Sequence, residues 1–124
     1  MKPILIVDDS LFARMMIRRC LSVTSLSGRD IIEAANGQEA LDILDRTDIS
    51  LVVADLNMPV LDGWSLLRRI RTSPRLRHVP VIVVSSLIND ESRADLYRIG
   101  ASSVLGKPLS PKAMIAACFA LEAA

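Results

Sequence analysis

Aromatic side chains are scarce in this sequence, which contains only one Trp, one Tyr and two Phe among 124 residues. Hydrophobic residues nevertheless make up 51% of the chain, so the core has to be assembled from Val, Ile, Leu, Ala and Met. An aliphatic core of this kind is typical of helices layered on a buried sheet. A chain of this length buries roughly two thirds of its unfolded surface, and we therefore expect it to fold without disulfides.

Cysteine and histidine are also rare, and their positions form no metal-binding pattern. Cys20, Cys118 and the lone His78 show none of the spacings that are typical of zinc or iron sites. We predict that both cysteines are small apolar residues on helix faces. Because free thiols are typical of a reducing compartment, we expect a cytoplasmic protein.

The sequence has neither a long hydrophobic run nor an excess of one charge. Its first apolar run, residues 4–7, ends at two aspartates and is too short for a signal peptide or a membrane span. The 15 basic and 14 acidic residues give a net charge of +1, which provides no general attraction to nucleic acid or to anionic membranes. We therefore expect neither direct nucleic-acid binding nor membrane attachment.

Linkers, internal repeats and low-complexity segments are absent too. We predict a single domain over residues 1–124, with no room for a further output domain.

What the sequence does contain is a fivefold alternation of short apolar runs and helical segments. Continuous aliphatic runs predict strands at 4–7, 51–54 and 81–84, and weaker runs predict strands at 30–34 and 102–105. Helices are predicted at 10–22, 37–46, 64–72, 90–99 and 111–121. Strict alternation with right-handed crossovers predicts an α/β fold, in which helices cover both faces of a doubly wound five-stranded parallel sheet.

The apolar patterns of the first and last helices differ. In the first, an apolar stripe is predicted to face the core, with Arg14, Arg18 and Arg19 lying off it; its members are Phe12, Ala13, Met16, Ile17, Cys20 and Leu21. The last helix is apolar throughout 113–121. Either that helix is simply rich in alanine, or its outer face contacts another chain.

Polar residues follow four of the predicted strands, at the point where each strand ends. Asp8 and Asp9 follow the first strand, Asp55 the third, Ser85 the fourth and Lys107 the fifth. Ligands of open parallel sheets bind beyond this carboxyl edge. Carboxylates at 4 Å repel one another by about 1–4 kcal/mol per pair, so three of them need a cation, and Mg²⁺ prefers such oxygen ligands.

The same residues suggest a reaction. A carboxylate nucleophile at Asp55, a metal ion, the charge of Lys107 and the hydroxyl of Ser85 together suit phosphoryl transfer to an aspartate. The three aspartates also have simpler explanations. Asp8 and Asp9 could be acids at a helix N-terminus, and Asp55 could be the start of a turn. A phosphatase or nucleotide-binding enzyme is a further alternative, although no glycine-rich phosphate loop follows the first strand.

Four motifs, in order and at these spacings, resemble the receiver domains of two-component response regulators, in particular the stand-alone CheY-like type. They are Ile-Leu-Ile-Val-Asp-Asp-Ser at 4–10, Val-Val-Ala-Asp-Leu-Asn-Met-Pro at 52–59, Asp-Gly at 62–63 and Lys-Pro at 107–108. The resemblance runs across the whole chain and implies a flavodoxin/CheY-like sheet with strand order 2-1-3-4-5.

The resemblance also implies roles for individual residues. Asp55 would be the phosphoacceptor, and Ser85 and Lys107 would contact the phosphoryl group. The implied Mg²⁺ ligands are the carboxylates of Asp8, Asp9 and Asp55 and the backbone carbonyl of Asn57. A cis peptide before Pro108 is implied as well.

The function implied by the resemblance is a phosphorylation-dependent signalling switch. A histidine kinase or phosphotransfer protein, docking near the first helix, would donate the phosphoryl group, and an unknown protein target would bind the 90–121 face. We expect a monomer or weak homodimer that assists only its own phosphorylation and dephosphorylation and is not otherwise an enzyme. Alternatives are a phosphate-sink or relay receiver, and a receiver cut from a longer response regulator or hybrid kinase.

Three positions depart from the residues that are usual in the family. Val104 stands where an aromatic side chain commonly switches rotamer, and Leu109 where an aromatic often follows the Lys-Pro pair. Ser86 gives a second hydroxyl beside Ser85.

Overall fold

A computed structural model of the chain describes residues 1–123. The strands are β1 (Ile4–Val7), β2 (Ile31–Ala34), β3 (Leu51–Asp55), β4 (Val81–Ser85) and β5 (Ser103–Gly106). The helices are α1 (Leu11–Leu21), α2 (Gly37–Arg46), α3 (Gly63–Thr72), α4 (Asp90–Ile99) and α5 (Pro111–Ala123). The predicted alternation is confirmed, and the bounds of the two weaker strands differ from the prediction by one residue at the ends.

All strand pairs are parallel, and their order in the sheet is β2-β1-β3-β4-β5. The three central strands are buried along their whole length, because helices cover both faces. One core layer includes Leu44 of α2, Leu67 of α3 and Leu96 of α4. The other includes Ile17 of α1 and Met114 of α5. The doubly wound α/β fold with strand order 2-1-3-4-5 is therefore confirmed.

Side-chain caps fix where the helices begin. Ser10, Asn36, Asp62 and Asn89 each accept a hydrogen bond from the backbone N–H three residues later. Such a cap satisfies a donor that the first helical turn leaves unpaired and stabilises a helix by about 1 kcal/mol. Asp62 therefore starts α3 immediately after the loop that follows β3.

The predicted apolar stripe of α1 is only partly buried. Ile17, Cys20 and Leu21 are in the core, but Phe12 is 70% exposed. Because α1 begins at the carboxyl edge of the sheet, only a few residues after β1 ends, its first turn lies at the rim of the molecule. The prediction that Phe12 faces the core is wrong.

The two cysteines and the last helix agree with the sequence analysis. Cys20 and Cys118 are buried and free, as expected of small apolar core residues. On α5, Ile115 and Phe119 remain exposed, so one sheet face does not cover the whole of this apolar helix. Among residues 1–123, no helix is long and apolar enough to cross a bilayer.

Candidate functional site

The register of the sheet determines which side chains meet at its carboxyl edge. The β1–β3 pairing places Asp8, the residue after β1, beside Asp55. The β3–β4 pairing places Ser85 one position beyond Asp55. Ser85 pairs with Gly106, the residue before Lys107. Residues far apart in sequence are thus brought into one row.

Three carboxylates form the centre of this site. One carboxylate oxygen from each of Asp8, Asp9 and Asp55 lies within 4.8 Å of the other two. Asp8 and Asp55 are 1% and 6% exposed, whereas Asp9 is exposed. Two buried acids beside each other repel strongly, since little water screens them.

Lys107 partly compensates this charge. Its Nζ lies 2.8 Å from Oδ2 of Asp8 and 3.5 Å from Oδ1 of Asp55. Burial alone would lower the pKa of Lys107, but the hydrogen bond and charge of Asp8, together with Asp55, outweigh it and raise the pKa. The ammonium group is therefore held in its charged form between the two buried acids.

The ionised carboxylate of Asp55 is less well compensated than the ammonium group of Lys107. Burial, and secondly the nearby charge of Asp8, raise the pKa of Asp55, while Lys107 and a backbone hydrogen bond from Leu56 oppose the rise. One lysine does not offset the desolvation of this carboxylate. Ionised Asp55 is therefore destabilising in the metal-free protein.

This shift leads to a prediction about pH. In EDTA, we expect Asp55→Asn to raise the free energy of unfolding at neutral pH. Because folding raises the pKa of Asp55, wild-type stability falls as pH rises through that raised pKa, while asparagine carries no charge to desolvate. The advantage of the variant should vanish below the ordinary pKa of aspartate. Urea denaturation from acid to neutral pH measures the free energy of unfolding of both proteins. Asp48→Asn, at an exposed aspartate, is the control. A lower free energy of unfolding for Asp55→Asn than for wild type at neutral pH would contradict the prediction.

Ser85 borders the site from β4. It is 1% exposed, and its Oγ accepts a hydrogen bond of 3.3 Å from the Leu87 N–H. Its carbonyl oxygen accepts the N–H of Lys107 at 2.9 Å, which ties the β4 and β5 ends together. The Lys107–Pro108 peptide is cis, as the resemblance implied. Ser86, the next residue, is exposed.

The loop after β3 is held tightly against Asp55. The Gly63 N–H donates to the Leu56 carbonyl at 2.9 Å, and a Cβ at Gly63 would lie 2.7 Å from Leu56 Cα and closer still to the Asp55 carbonyl oxygen. Among residues 1–123, no hydrogen bond ends on the carbonyl oxygen of Asn57. Within the described part of the chain, the Asn57 carbonyl therefore has no protein hydrogen-bond donor.

The donor set suits a hard divalent cation. It consists of the carboxylate oxygens of Asp8, Asp9 and Asp55. Within residues 1–123, Lys107 is the one side chain that forms ion pairs with these carboxylates, through Asp8 and Asp55. A net negative charge remains after Lys107 is counted. Mg²⁺ is usually bound by one or two carboxylates while keeping several waters, so these residues fit it.

Three hydrogen bonds around the site gave no recognisable signal in the sequence. Arg14, which the pattern placed off the apolar stripe, donates to the Asp8 carbonyl oxygen at 2.6 Å. On the other side, the N–H of Val104 donates to the Tyr97 hydroxyl and its carbonyl accepts from Arg93 at 2.7 Å. All three depend on long side chains that reach across elements, and local periodicity does not reveal such contacts.

An apolar groove of about 480 Å³ opens next to Lys107. Its walls come from α1, the end of β4 and the segment after β5, and include Phe12, Met16 and Leu109. The neighbouring Leu11 and Met15 are exposed as well. An apolar surface therefore lies directly beside the acidic cluster.

A parallel (βα)5 sheet with three acids, a hydroxyl and a lysine at its carboxyl edge defines a class of signalling domain. The family model for the response regulator receiver domain matches residues 4–119. The chain belongs to this family, a receiver domain of two-component signalling. The family and fold predicted from the sequence are thereby confirmed.

Particular relatives support the assignment. The chain is 30% identical over 112 residues to chemotaxis protein CheY1 of Helicobacter pylori, covering 90% of this chain and 89% of that protein. It is 37% identical over 111 residues to the "Probable transcriptional regulator ycf27" of Porphyridium aerugineum, covering 90% of this chain but 44% of that relative. It therefore spans less than half of the second relative. The solved structure of CheY4 from Vibrio cholerae has a TM-score of 0.83 and 26% identity, covering 96% of this chain and 97% of that chain.

Proposed function

We propose that this receiver domain is a phosphorylation-dependent switch that accepts a phosphoryl group on Asp55. The observation that carries the proposal is the position of Lys107, which lies between buried Asp8 and Asp55 at the carboxyl edge of the sheet. A lysine and a cluster of acids with room for a divalent ion are what aspartyl phosphorylation needs.

The reaction uses the residues as follows. An Asp55 carboxylate oxygen attacks the phosphorus of a donor phosphohistidine; the new O–P bond forms as the P–N bond breaks and its electron pair goes to the imidazole. Mg²⁺ held by Asp8, Asp9, Asp55 and the Asn57 carbonyl would neutralise phosphoryl charge. Lys107 exchanges its contact with Asp55 for one with a phosphoryl oxygen. The donor is a histidine kinase or phosphotransfer protein.

Phosphorylation then acts as a switch through new charge. The phosphoryl group adds strong acceptor oxygens beside Ser85 and Lys107, both of which can donate to it. Moving a two-state surface from about 1% to about 99% active needs about 5.5 kcal/mol of differential stabilisation. A few charge-assisted hydrogen bonds supply this order of energy.

We propose that the signal leaves through the 90–121 face. The side chain of Val104 is buried and too small to act as a rotamer switch, whereas Tyr97 is a partly exposed aromatic bonded to the Val104 backbone. A shift at Ser85 and β5 would thus reach α4 through Tyr97 and Arg93. The target that binds this face is a protein. The domain is cytoplasmic. It assists its own phosphorylation and dephosphorylation and is not otherwise an enzyme.

The experiment that tests the proposal is intact-mass spectrometry of wild type with acetyl phosphate, with and without Mg²⁺. We expect the mass of one phosphoryl group, lost in EDTA, and a parallel change in Trp64 fluorescence on adding beryllofluoride. Borohydride trapping and peptide mapping should place the modification at Asp55. No mass gain from a folded protein in Mg²⁺ would overturn the proposal.

A second candidate is a receiver that forms part of a longer response regulator. The observation that favours it is that the chain spans only 44% of one curated relative. Its chemistry at Asp55 is identical, but phosphorylation would act on another domain of the same polypeptide and not on a separate target protein. Sequencing the gene on both sides of this reading frame distinguishes the two.

We propose that the donor docks on the apolar rim formed by Leu11, Phe12 and Met15, next to the groove beside Lys107. We expect Phe12→Ala to slow phosphotransfer from a cognate phosphotransfer protein by about tenfold, since a buried interface aromatic commonly contributes more than 1 kcal/mol. Phe119→Ala on α5 is the matched control, because Phe12 and Phe119 are 70% and 71% exposed. Acetyl phosphate should phosphorylate both variants at the wild-type rate; equal slowing of phosphotransfer in both would contradict this docking site.

A further inference from the structure

The guanidinium of Arg14 connects the acidic cluster to the edge of the sheet. Its NH1 atom donates to the carbonyl oxygen of Asp8 at 2.6 Å, and its Nε donates to Oε1 of Glu33 at 2.7 Å. The Arg14 side chain is only 16% exposed, although its position in α1 lies off the apolar stripe. Arg14 is thus fixed between β1 and β2 and is not a freely solvated surface arginine.

The hydrogen bond from Arg14 to the Asp8 carbonyl affects the orientation of both Asp8 and Asp9. The carbonyl of Asp8 and the N–H of Asp9 belong to one planar peptide unit, so holding that oxygen fixes the orientation of the whole unit. The Asp8 carboxylate is held separately, with Oδ1 accepting from the Ser10 N–H at 2.9 Å and Oδ2 from Lys107 at 2.8 Å. The Arg14 bond is therefore a side-chain constraint on the peptide from which the Asp9 carboxylate projects.

Glu33 partly neutralises the positive charge that Arg14 places near the acidic cluster. A bare guanidinium close to a divalent-ion site would repel the ion, but Glu33 faces both Arg14 and Arg18, at 2.7 Å each. The two arginines lower the pKa of Glu33 through hydrogen bonds and charge, with Arg18 contributing most, so the carboxylate is held in its charged form. Glu33 both orients Arg14 and offsets part of its charge.

We infer that Arg14 is a positioning residue, which presets the Asp8–Asp9 peptide so that both carboxylates face a divalent cation. The inference rests on the proposed function, since it concerns the same metal site. Residues that orient metal ligands typically change metal affinity by about 10- to 100-fold when they are replaced.

The sign of the effect separates positioning from simple charge. Removing a positive charge near a cation site strengthens cation binding if Coulomb interaction alone operates. Losing the hydrogen bond that orients the ligands weakens it. Arg14→Met, which keeps the apolar stem and its packing, therefore gives opposite predictions under the two explanations.

The test is calorimetric titration of unphosphorylated protein with MgCl2, with thermal unfolding measured on every variant. We expect Arg14→Met to weaken Mg²⁺ binding about tenfold. Arg14→Lys, which retains a charged donor, should recover most of the affinity. The matched control is Arg18→Met, which removes the same charge and a contact to Glu33 but has no bond to Asp8; it should bind Mg²⁺ within about twofold of wild type.

Three results would overturn the inference. Unchanged or tighter Mg²⁺ binding by folded Arg14→Met would show that the bond to Asp8 does not position the metal ligands. Equal weakening in Arg18→Met would assign the effect to Glu33 or to helix α1. If Arg14→Met does not fold, folded Arg14→Lys is the deciding variant. Mg²⁺ binding about tenfold weaker than that of wild type in Arg14→Lys, which keeps a charged donor, would then overturn the inference. Absence of Mg²⁺ binding in wild type is a different failure, because it overturns the proposed function itself.

Discussion

Asp55→Asn is expected to take up no phosphoryl group from acetyl phosphate or from a phosphorylated donor. Asparagine has nearly the same shape as aspartate, but its amide lacks the anionic oxygen that attacks phosphorus. Asp8 is buried under Lys107, and its Oδ1 is already bonded to the Ser10 N–H, so it does not replace the nucleophile. We therefore expect complete loss of the Mg²⁺-dependent mass gain while the protein remains folded.

The measurement is intact mass over time in Mg²⁺, with circular dichroism to check folding. Asp48→Asn is the matched control, because Asp48 is an exposed aspartate that forms no part of the acidic cluster. The control should gain the phosphoryl mass at the wild-type rate. Persistent stoichiometric phosphorylation of Asp55→Asn would mean that another residue is the acceptor, and peptide mapping would then identify it.

Gly63→Ala is expected to have the largest effect on folding. A methyl group at this position would press on the Asp55 carbonyl oxygen and lie 2.7 Å from Leu56 Cα, both backbone atoms that a side-chain rotation cannot move away. Overpacking against fixed atoms typically costs about 1–3 kcal/mol and occasionally more, and here we expect about 3 kcal/mol or more. Because Asp55 carries the proposed nucleophile, the variant should also be phosphorylated more slowly.

Urea denaturation measures the first effect and intact mass the second. Gly106→Ala is the matched control, since a Cβ there meets nothing within 4 Å and Gly106 does not need a positive φ. Glycine inside a strand is less favourable than alanine by about 0.5–1 kcal/mol, so the control should be neutral or slightly stabilising. A Gly63→Ala protein as stable as wild type would mean that the β3–α3 loop is looser than the packing indicates.

The prediction of the fold succeeded because its signals are local. Residues 4–7, 51–54 and 81–84 are continuous aliphatic runs, which are stable only where both faces are covered. Strict alternation with helices then leaves few arrangements, since right-handed crossovers determine on which side each helix packs. The weak strand at 102–105 was displaced by one residue, because an edge strand that is only partly buried carries a weaker pattern.

The candidate site was also predictable, for a reason of geometry. In a parallel sheet every strand ends at the same edge, so Asp8, Asp55, Ser85 and Lys107 could be expected to meet without knowledge of any distance. What the sequence did not give is how the charge is shared. Only the register and the burial show that Lys107 lies between the two buried acids and that Asp55 still has a raised pKa.

The failures concern side chains whose environment is set by other elements. Phe12 has the helical spacing of a core residue, but it is exposed at the rim. It lies in the first turn of α1, which begins beyond the end of β1. Arg14 looks like a surface charge, yet it bonds the Asp8 carbonyl and Glu33. Tyr97 contacts the Val104 backbone across α4 and β5, which no sequence period reports.

The sequence by itself determined the order of strands and helices, the family and the edge at which the acids, the hydroxyl and the lysine gather, because these depend on periodicity and on strand ends. The tertiary structure alone decided which groups are desolvated, which cation neutralises which acid and which apolar residues stay exposed. Those properties depend on distances between elements that the chain brings together only by packing.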